Sequence, residues 1–287
     1  MIGSKDSYAL VTGASSGMGY EYAKLFAKDG KNIVVVARSG DKLEGLKRDV
    51  EKDHGTKVMV LVKDLSDPKA PQEVFSELEK AGINIDVLVN NAGFDVYGKF
   101  QDTDWRKEAE MLQVNIIALT QLTKLFLKKM LEKKSGKIMN ISSMVGLVPA
   151  PWSSVYGGTK HYVLGFSNAI AHDLKGTGVS VTCFCPGNTK TPFWERGGAR
   201  DAKGNRRGTL AMDAASAARF GYRALQKGRT TAVAGPVYSL MMFGIRFMPR
   251  RLACYVMDSS MQPEDRKRLE ALGSTGNGRK AQTGKPN

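Results

Sequence analysis

From residue 8 onward the chain alternates short β-branched apolar runs with longer stretches in which apolar residues recur every three or four positions. A continuous apolar run suits a strand buried on both faces, and the longer period suits helices that cover it. The pattern therefore predicts a parallel sheet with helices on both sides. Strands are expected at residues 8–11, 32–37, 58–63, 87–90, 136–141, 179–185 and 232–234, and helical patterns at 21–28, 105–130 and 154–173. Seven strands at this spacing make a single doubly wound α/β domain ending near residue 236.

Two segments break the regularity. Residues 196–208 are rich in Gly and Arg and follow the sixth strand, where a loop over a site would lie. Their basic residues Arg196, Arg200, Lys203, Arg206 and Arg207 either meet an anionic substrate or form a solvated loop, the reading slightly preferred. Beyond Pro236, residues 238–257 mix Leu, Met, Phe and Tyr with Arg246, Arg250 and Arg251, which predicts an apolar helical extension. The divisions expected are 1–236 for the main domain, 237–262 for the extension and 263–287 for a basic tail with the composition of a disordered segment. Packing beside the substrate site or against another subunit is the preferred reading of the extension, with contact at a membrane surface the lesser alternative.

The chain has 287 residues, 42% of them hydrophobic, enough for a sizeable core. No apolar run exceeds strand length and no leader pattern opens the chain, so a soluble, cytoplasmic protein is expected. Cys183 and Cys185 alternate along one strand and share a face, as buried free thiols would. His54, His161 and His172 lack ligand spacing, and no metal is expected. A net charge of +15 suits nucleic acid, anionic lipid, an anionic substrate or plain solubility. No nucleic-acid-binding motif accompanies it, so no specific nucleic-acid partner is expected.

Directly after the first strand stand Thr12, Gly13, Ala14, Ser15, Ser16, Gly17, Met18 and Gly19, leading into a helical pattern. Glycines let the backbone turn tightly beside a pyrophosphate, and a helix N-terminus offers free N–H groups; the plain alternative is an ordinary strand-to-helix turn. Ala37 stands at the end of the second strand, where an acid would hold the ribose 2′-hydroxyl of NAD, and Arg38 follows. A guanidinium there can pair with the 2′-phosphate of NADP and meets no carboxylate that would repel the phosphate, with Ser15 or Ser39 adding a hydroxyl. Asp64 and Leu65 end the third strand beside the expected adenine edge, although Asp64 could instead cap the helix starting near Asp67 and Pro68. Asn90, Asn91, Ala92 and Gly93 after the fourth strand leave room for a cofactor or form an Asx-type turn.

Tyr156 and Lys160 stand four apart on one face of a helical pattern, so the ammonium can lower the phenol's pKa for acid–base work. Ser143 lies thirteen residues before the tyrosine and Asn115 lies 28 before the serine. The motifs at 12–19, 90–93, 156–160 and Pro186–Gly187, in this order and spacing, resemble those of the short-chain dehydrogenases/reductases over about residues 6–236.

The resemblance implies a Rossmann-type, NADP(H)-dependent enzyme that interconverts a ketone and a secondary alcohol by direct hydride transfer. It implies that Tyr156 is the general acid in reduction and the base in oxidation, that Lys160 lowers its pKa and bonds the nicotinamide ribose, and that Ser143 orients the carbonyl. Asn115 would hold a water linking Lys160 to solvent, and Thr189 and Thr191, after Pro186 and Gly187, would stand near the nicotinamide carboxamide. Gly157, Gly158 and Thr159 depart from the family's usual residues and could leave space beside the substrate. Phe94, Val145, Leu147, Phe193 and Trp194 are either pocket or core, and so is Trp152. A hydroxysteroid, a bile acid or a 3-ketoacyl compound is the expected substrate, and a homodimer or homotetramer the expected assembly. The rival reading is a non-catalytic NADP(H)-binding redox sensor.

Overall fold

The computed structural model describes residues 7–191, 193, 211–245 and 247–261. Seven parallel strands form its main sheet: β1 (Tyr8–Thr12), β2 (Asn32–Ala37), β3 (Val58–Val62), β4 (Ile85–Asn90), β5 (Gly136–Ile141), β6 (Val179–Cys185) and β9 (Thr231–Val233). Their order is β3-β2-β1-β4-β5-β6-β9. β7 (Thr189–Lys190) and β8 (Met212–Asp213) pair with each other outside it. The helices are α1 (Gly17–Lys28), α2 (Gly40–His54), α3 (Ala70–Lys80), α4 (Trp105–Leu112), α5 (Leu119–Glu132), α6 (Ser154–Asp173) and α7 (Ala214–Gln226).

Strand alternation fills two core layers at once. In β2, Ile33, Val35 and Ala37 join Tyr22 and Phe26 of α1 and Leu43 of α2, whereas Val34 and Val36 join Val74 of α3 and Leu122 and Phe126 of α5. Each aliphatic side chain so buried contributes roughly 1.5–3 kcal/mol, which is why the strand reads as an unbroken apolar run. The buried faces of α1, α2 and α7 cover one side of the sheet, and those of α3, α5 and the end of α6 cover the other.

The chain runs from β1 outward through β2 and β3, then returns to place β4 on the opposite side of β1. The strand order therefore reverses between β1 and β4, and the carboxyl ends of these two strands part to leave a crevice. Thr12 fixes the two edges of that crevice: its Oγ1 accepts from the N–H groups of Asn91 and Ala92 at 3.0 and 2.9 Å.

Three expectations change. The pattern over 105–130 is not one helix, because a π-helical segment, Gln113–Ala118, separates α4 from α5. The apolar period barely differs between the two forms; the segment turns Gln113 and Asn115 inward, where both are buried. The extension is two helices, α8 (Pro236–Ile245) and α9 (Arg250–Met261), divided at Pro249. A proline offers no N–H to a continuing helix and disfavours the helical conformation in the residue before it. Strand limits move slightly: β3 ends at Val62, β4 begins at Ile85, and β9 begins at Thr231. Residues 196–208 and 263–287 lie outside the described residues. Among the described residues no helix is long and apolar enough to cross a membrane.

Candidate active site

A cleft of about 780 Å³ opens at the carboxyl ends of the strands. Gly13 and Gly17 take left-handed backbone angles, φ +67° and +60°, so that the turn after β1 can fold tightly onto its surroundings. A Cβ on Gly13 would lie 2.9 Å from Ala92 Cα, and one on Gly17 would lie 2.9 Å from Thr191 Cγ2. Ser15, Ser16, Gly17 and Met18 line the cleft. Gly19 does not; a Cβ there would come within 2.4 Å of the Gly13 carbonyl oxygen, so this glycine lets α1 press against the turn. Ser16, the residue before α1, makes no side-chain cap bond, and the helix's first turn carries no acid. The positive end of the helix and its open N–H groups thus face the cleft, the donor set a pyrophosphate needs.

Arg38 and Ser39 follow β2 into the same cleft, as do Asp64 and Leu65 after β3. The expectation that Arg38 meets no carboxylate is corrected, because its Nη1 stands 3.6 Å from Asp64 Oδ2. The two chains come from adjacent parallel strands that end level. Asp64 does not cap α3, since it accepts from the Ser66 N–H and hydroxyl at 3.0 and 2.8 Å and the helix starts only at Ala70. Burial works to raise the Asp64 carboxyl, but the Ser66 bonds and the Arg38 charge hold it below its ordinary value. Arg38 remains 62% exposed, and an exposed ion pair of this kind is worth at most about 1 kcal/mol, so the guanidinium is free to turn to a phosphate.

At the other end, α6 presents Tyr156 and Lys160 to the cleft, and the turn after β5 presents Ser143. Ser143 Oγ accepts from the Val145 N–H at 3.3 Å and is hydrogen-bonded to Tyr156. Lys160 Nζ donates to the Ile141 carbonyl at 2.9 Å and stands 5.5 Å from the centre of the Tyr156 ring. Burial pushes the phenol of Tyr156 up, the Asp95 charge adds to this, and the Ser143 bond opposes it. Burial brings Lys160 down to about 8, against the nearby Cys183, Cys185 and Asp95. The ring of Phe193 packs 5.6 Å from that of Tyr156, centre to centre.

Asn115 does not line the cleft. It is fully buried behind it, where Oδ1 accepts from the Phe94 N–H at 3.1 Å and Nδ2 donates to the Phe94 carbonyl and to Thr159 Oγ1. Gly93 fills the gap in front; a Cβ on it would lie 2.9 Å from Asn115 Oδ1 and 3.5 Å from Lys160 Nζ. Asn91 and Ala92 line the cleft beside it, and so do Pro186, Gly187, Thr189 and Thr191 after β6. Phe94 and Phe193 line the cleft, whereas Val145 and Leu147 do not; Trp194 lies outside the described residues. Neither Gly157 nor Gly158 lines the cleft: the first is buried against Ala150 and the second is exposed. Trp152 is not on the cleft wall either, but stacks on Tyr97 and donates through Nε1 to Asp258 Oδ1 at 2.9 Å.

Several contributors were not singled out from sequence. The Ile141 carbonyl anchors the lysine, and Ser142 Oγ donates to the Lys160 carbonyl at 2.8 Å. Asn140 of β5 accepts at 2.9 Å from Asn90, itself marked in the sequence, and donates to Ser167 of α6 at 3.0 Å, which fixes the helix to the sheet. Asp95, a buried carboxyl on the cleft wall, had as its only signal an acid two residues past Gly93.

Comparison with known proteins agrees with this geometry. The sequence model of the family described as short chain dehydrogenase matches residues 7–201. A 7beta-hydroxysteroid dehydrogenase of Collinsella aerofaciens is 31% identical over 185 residues, 64% of this chain and 70% of that protein. A solved 7beta-hydroxysteroid dehydrogenase superposes with a TM-score of 0.79 at 26% identity, over 88% of this chain and 96% of that one. A short-chain dehydrogenase from Sphingobium yanoikuyae, solved in complex with NADPH, gives 0.75 at 26% identity over 97% and 98% of the two chains. With the family model matching residues 7–201 and the solved relatives superposing over most of the fold, the chain belongs to the short-chain dehydrogenase family of oxidoreductases.

Proposed function

We propose that the chain is an NADP(H)-dependent oxidoreductase that interconverts a ketone and a secondary alcohol. The observation that carries this reading is the meeting of Ser143, Tyr156 and Lys160 in the cleft whose other end is the open N-terminus of α1. When bound, the cofactor supplies or takes up the two electrons of the reaction. The turn at 13–19 holds its pyrophosphate, Arg38 with Ser15 or Ser39 its 2′-phosphate, and Asp64 and Leu65 its adenine edge. Asn91, Ala92, Gly93, Pro186 and Gly187 wall the cofactor, with Thr189 and Thr191 near the carboxamide. The NADPH complex of the Sphingobium relative supports this choice.

Tyr156, kept protonated by its burial, gives its proton to the carbonyl oxygen in reduction and recovers one from the alcohol in oxidation. Ser143 orients and polarises the same oxygen, and the Lys160 charge stabilises the phenolate once the proton has left. Asn115 holds the loop at Phe94 and serves the proton path from Lys160 to solvent.

The substrate is apolar, a hydroxysteroid or bile acid in the first place and a 3-ketoacyl compound in the second. Phe94 and Phe193 on the cleft wall and the Collinsella relative support the steroid class. Tyr238 of α8 lies against Gly187, which supports a place for the extension beside the site. The exposed Phe243, Phe247 and Tyr255 on and beside the extension helices support a homodimer or homotetramer.

NADPH oxidation followed against a panel of steroid ketones, bile-acid ketones and ketoacyl thioesters, with NADH as control, tests the proposal. Turnover with NADPH is expected; tight NADPH binding with no turnover across the panel would favour the redox sensor.

A further inference from the structure

Asp95 lies two residues past Gly93 on the wall of the cleft, and only 1% of it is exposed. One carboxylate oxygen, Oδ2, accepts from the Ser153 hydroxyl at 2.8 Å, and the carboxylate also accepts from the Val96 N–H. The other, Oδ1, is buried with no hydrogen-bond partner among the described residues. Burying such an oxygen is costly, and either a bound proton or nearby positive charge compensates it.

Ser153 is the residue immediately before α6, so the bond fastens Asp95 to the helix that carries Tyr156 and Lys160. The titratable groups that face the carboxylate are the Lys160 ammonium and the Tyr156 phenol of α6, with Cys183 and Cys185 of β6 beyond Lys160. Asn115, from the π-helical segment, brings no charge. An anion in this place opposes phenolate and favours ammonium, so it works to keep both neighbours protonated, for Lys160 against the burial that brings it down.

Resting on the function proposed above, we propose that Asp95 is a positioning residue for the proton. Its carboxylate, fastened by Ser153 to the start of α6, sets the pH at which Tyr156 and Lys160 change from proton donors to acceptors. The roles proposed above for these two residues do not require an acid here.

Carbon NMR of the full chain with labelled lysine side chains tests the electrostatic part without cofactor or substrate. Lys160 is brought to about 8, which separates it from the solvent-facing lysines, and its signal is assigned by its loss in Lys160→Met. Asp95→Asn keeps an acceptor for Ser153 and should lower the Lys160 midpoint by about one pH unit. Asp95→Ser is expected to do the same and serves where the first variant folds poorly. An unchanged midpoint overturns the proposal. With NADP⁺ and an alcohol, the rising limb of oxidation should also move to lower pH in Asp95→Asn, and a shifted lysine with an unshifted limb overturns the role in the reaction. Absence of turnover by the unaltered chain would instead count against the proposed function, and the lysine midpoint would still decide whether Asp95 acts on Lys160.

Discussion

Tyr156 is buried, bonded to Ser143 and faced by the ring of Phe193, so its hydroxyl is aimed before any substrate arrives. Tyr156→Phe removes one oxygen and little else, and turnover should fall by about 10²–10⁴-fold while NADPH affinity, read by cofactor fluorescence, holds. Near-normal turnover would remove Tyr156 from the chemistry. Arg38 poses a different question, because its partner Asp64 stands 3.6 Å away. Arg38→Asp puts a second acid where the 2′-phosphate would sit, so NADPH affinity should drop by roughly 10–100-fold and NADH affinity hardly at all. Equal losses would place the 2′-phosphate elsewhere. Most of these residues are legible in the sequence because each sits at a fixed spacing within a strand–turn–helix unit. Asp95 is not, since its partner Ser153 is 58 residues further on and only the folded chain brings the two together.

The strands are legible for a physical reason: a strand covered on both faces must be apolar at every position, as 33–37 is. The π-helical segment, β7 and β8 carry no such signature. One is a small change in helical winding, and the others are two residues long and held by pairing with each other. The division of the extension at Pro249 follows from a residue visible in the sequence, but the placing of its second helix does not. That helix is tied down at Trp152, which takes a left-handed φ of +67°, stacks on Tyr97 and donates to Asp258, while the Tyr97 hydroxyl donates to the Met261 carbonyl. α9 therefore rests on the turn that leads into α6 and on the loop that carries Asp95. Trp152→Phe keeps a stacking ring and removes the bond to Asp258. Amide exchange in α9 should quicken by about tenfold or more, with NADPH affinity unchanged. Unaltered exchange would mean that α9 is held by other contacts.

Over the whole molecule, a charge of +15 says little about the reaction, but two buried groups of opposite sign shape how the fold responds to pH. Asp95 is pushed up to about 7 by burial, against the bonds from Ser153 and Val96 and the Lys160 charge. The native state thus holds this proton more tightly than the unfolded chain does. The stability Asp95 contributes is fully present below about pH 4 and is lost as pH rises through about 7, by up to about 4 kcal/mol. Lys160, brought down to about 8, acts in the opposite sense. Its contribution is present above about pH 10.5 and is lost as pH falls through about 8, by up to about 3 kcal/mol. The two arms meet between pH 7 and 8, where their joint contribution is least. Urea unfolding of the cofactor-free chain and of Asp95→Asn across pH 4–10 separates this pair from the surface carboxylates common to both. The difference in stability between the two chains should slope between pH 4 and 7, keep changing to about pH 8 through the lowered Lys160 midpoint of the variant, and level off above that; a difference that stays flat between pH 4 and 7 would mean that Asp95 is already ionised in the native state at pH 4, and that the carboxyl is better solvated than its burial implies.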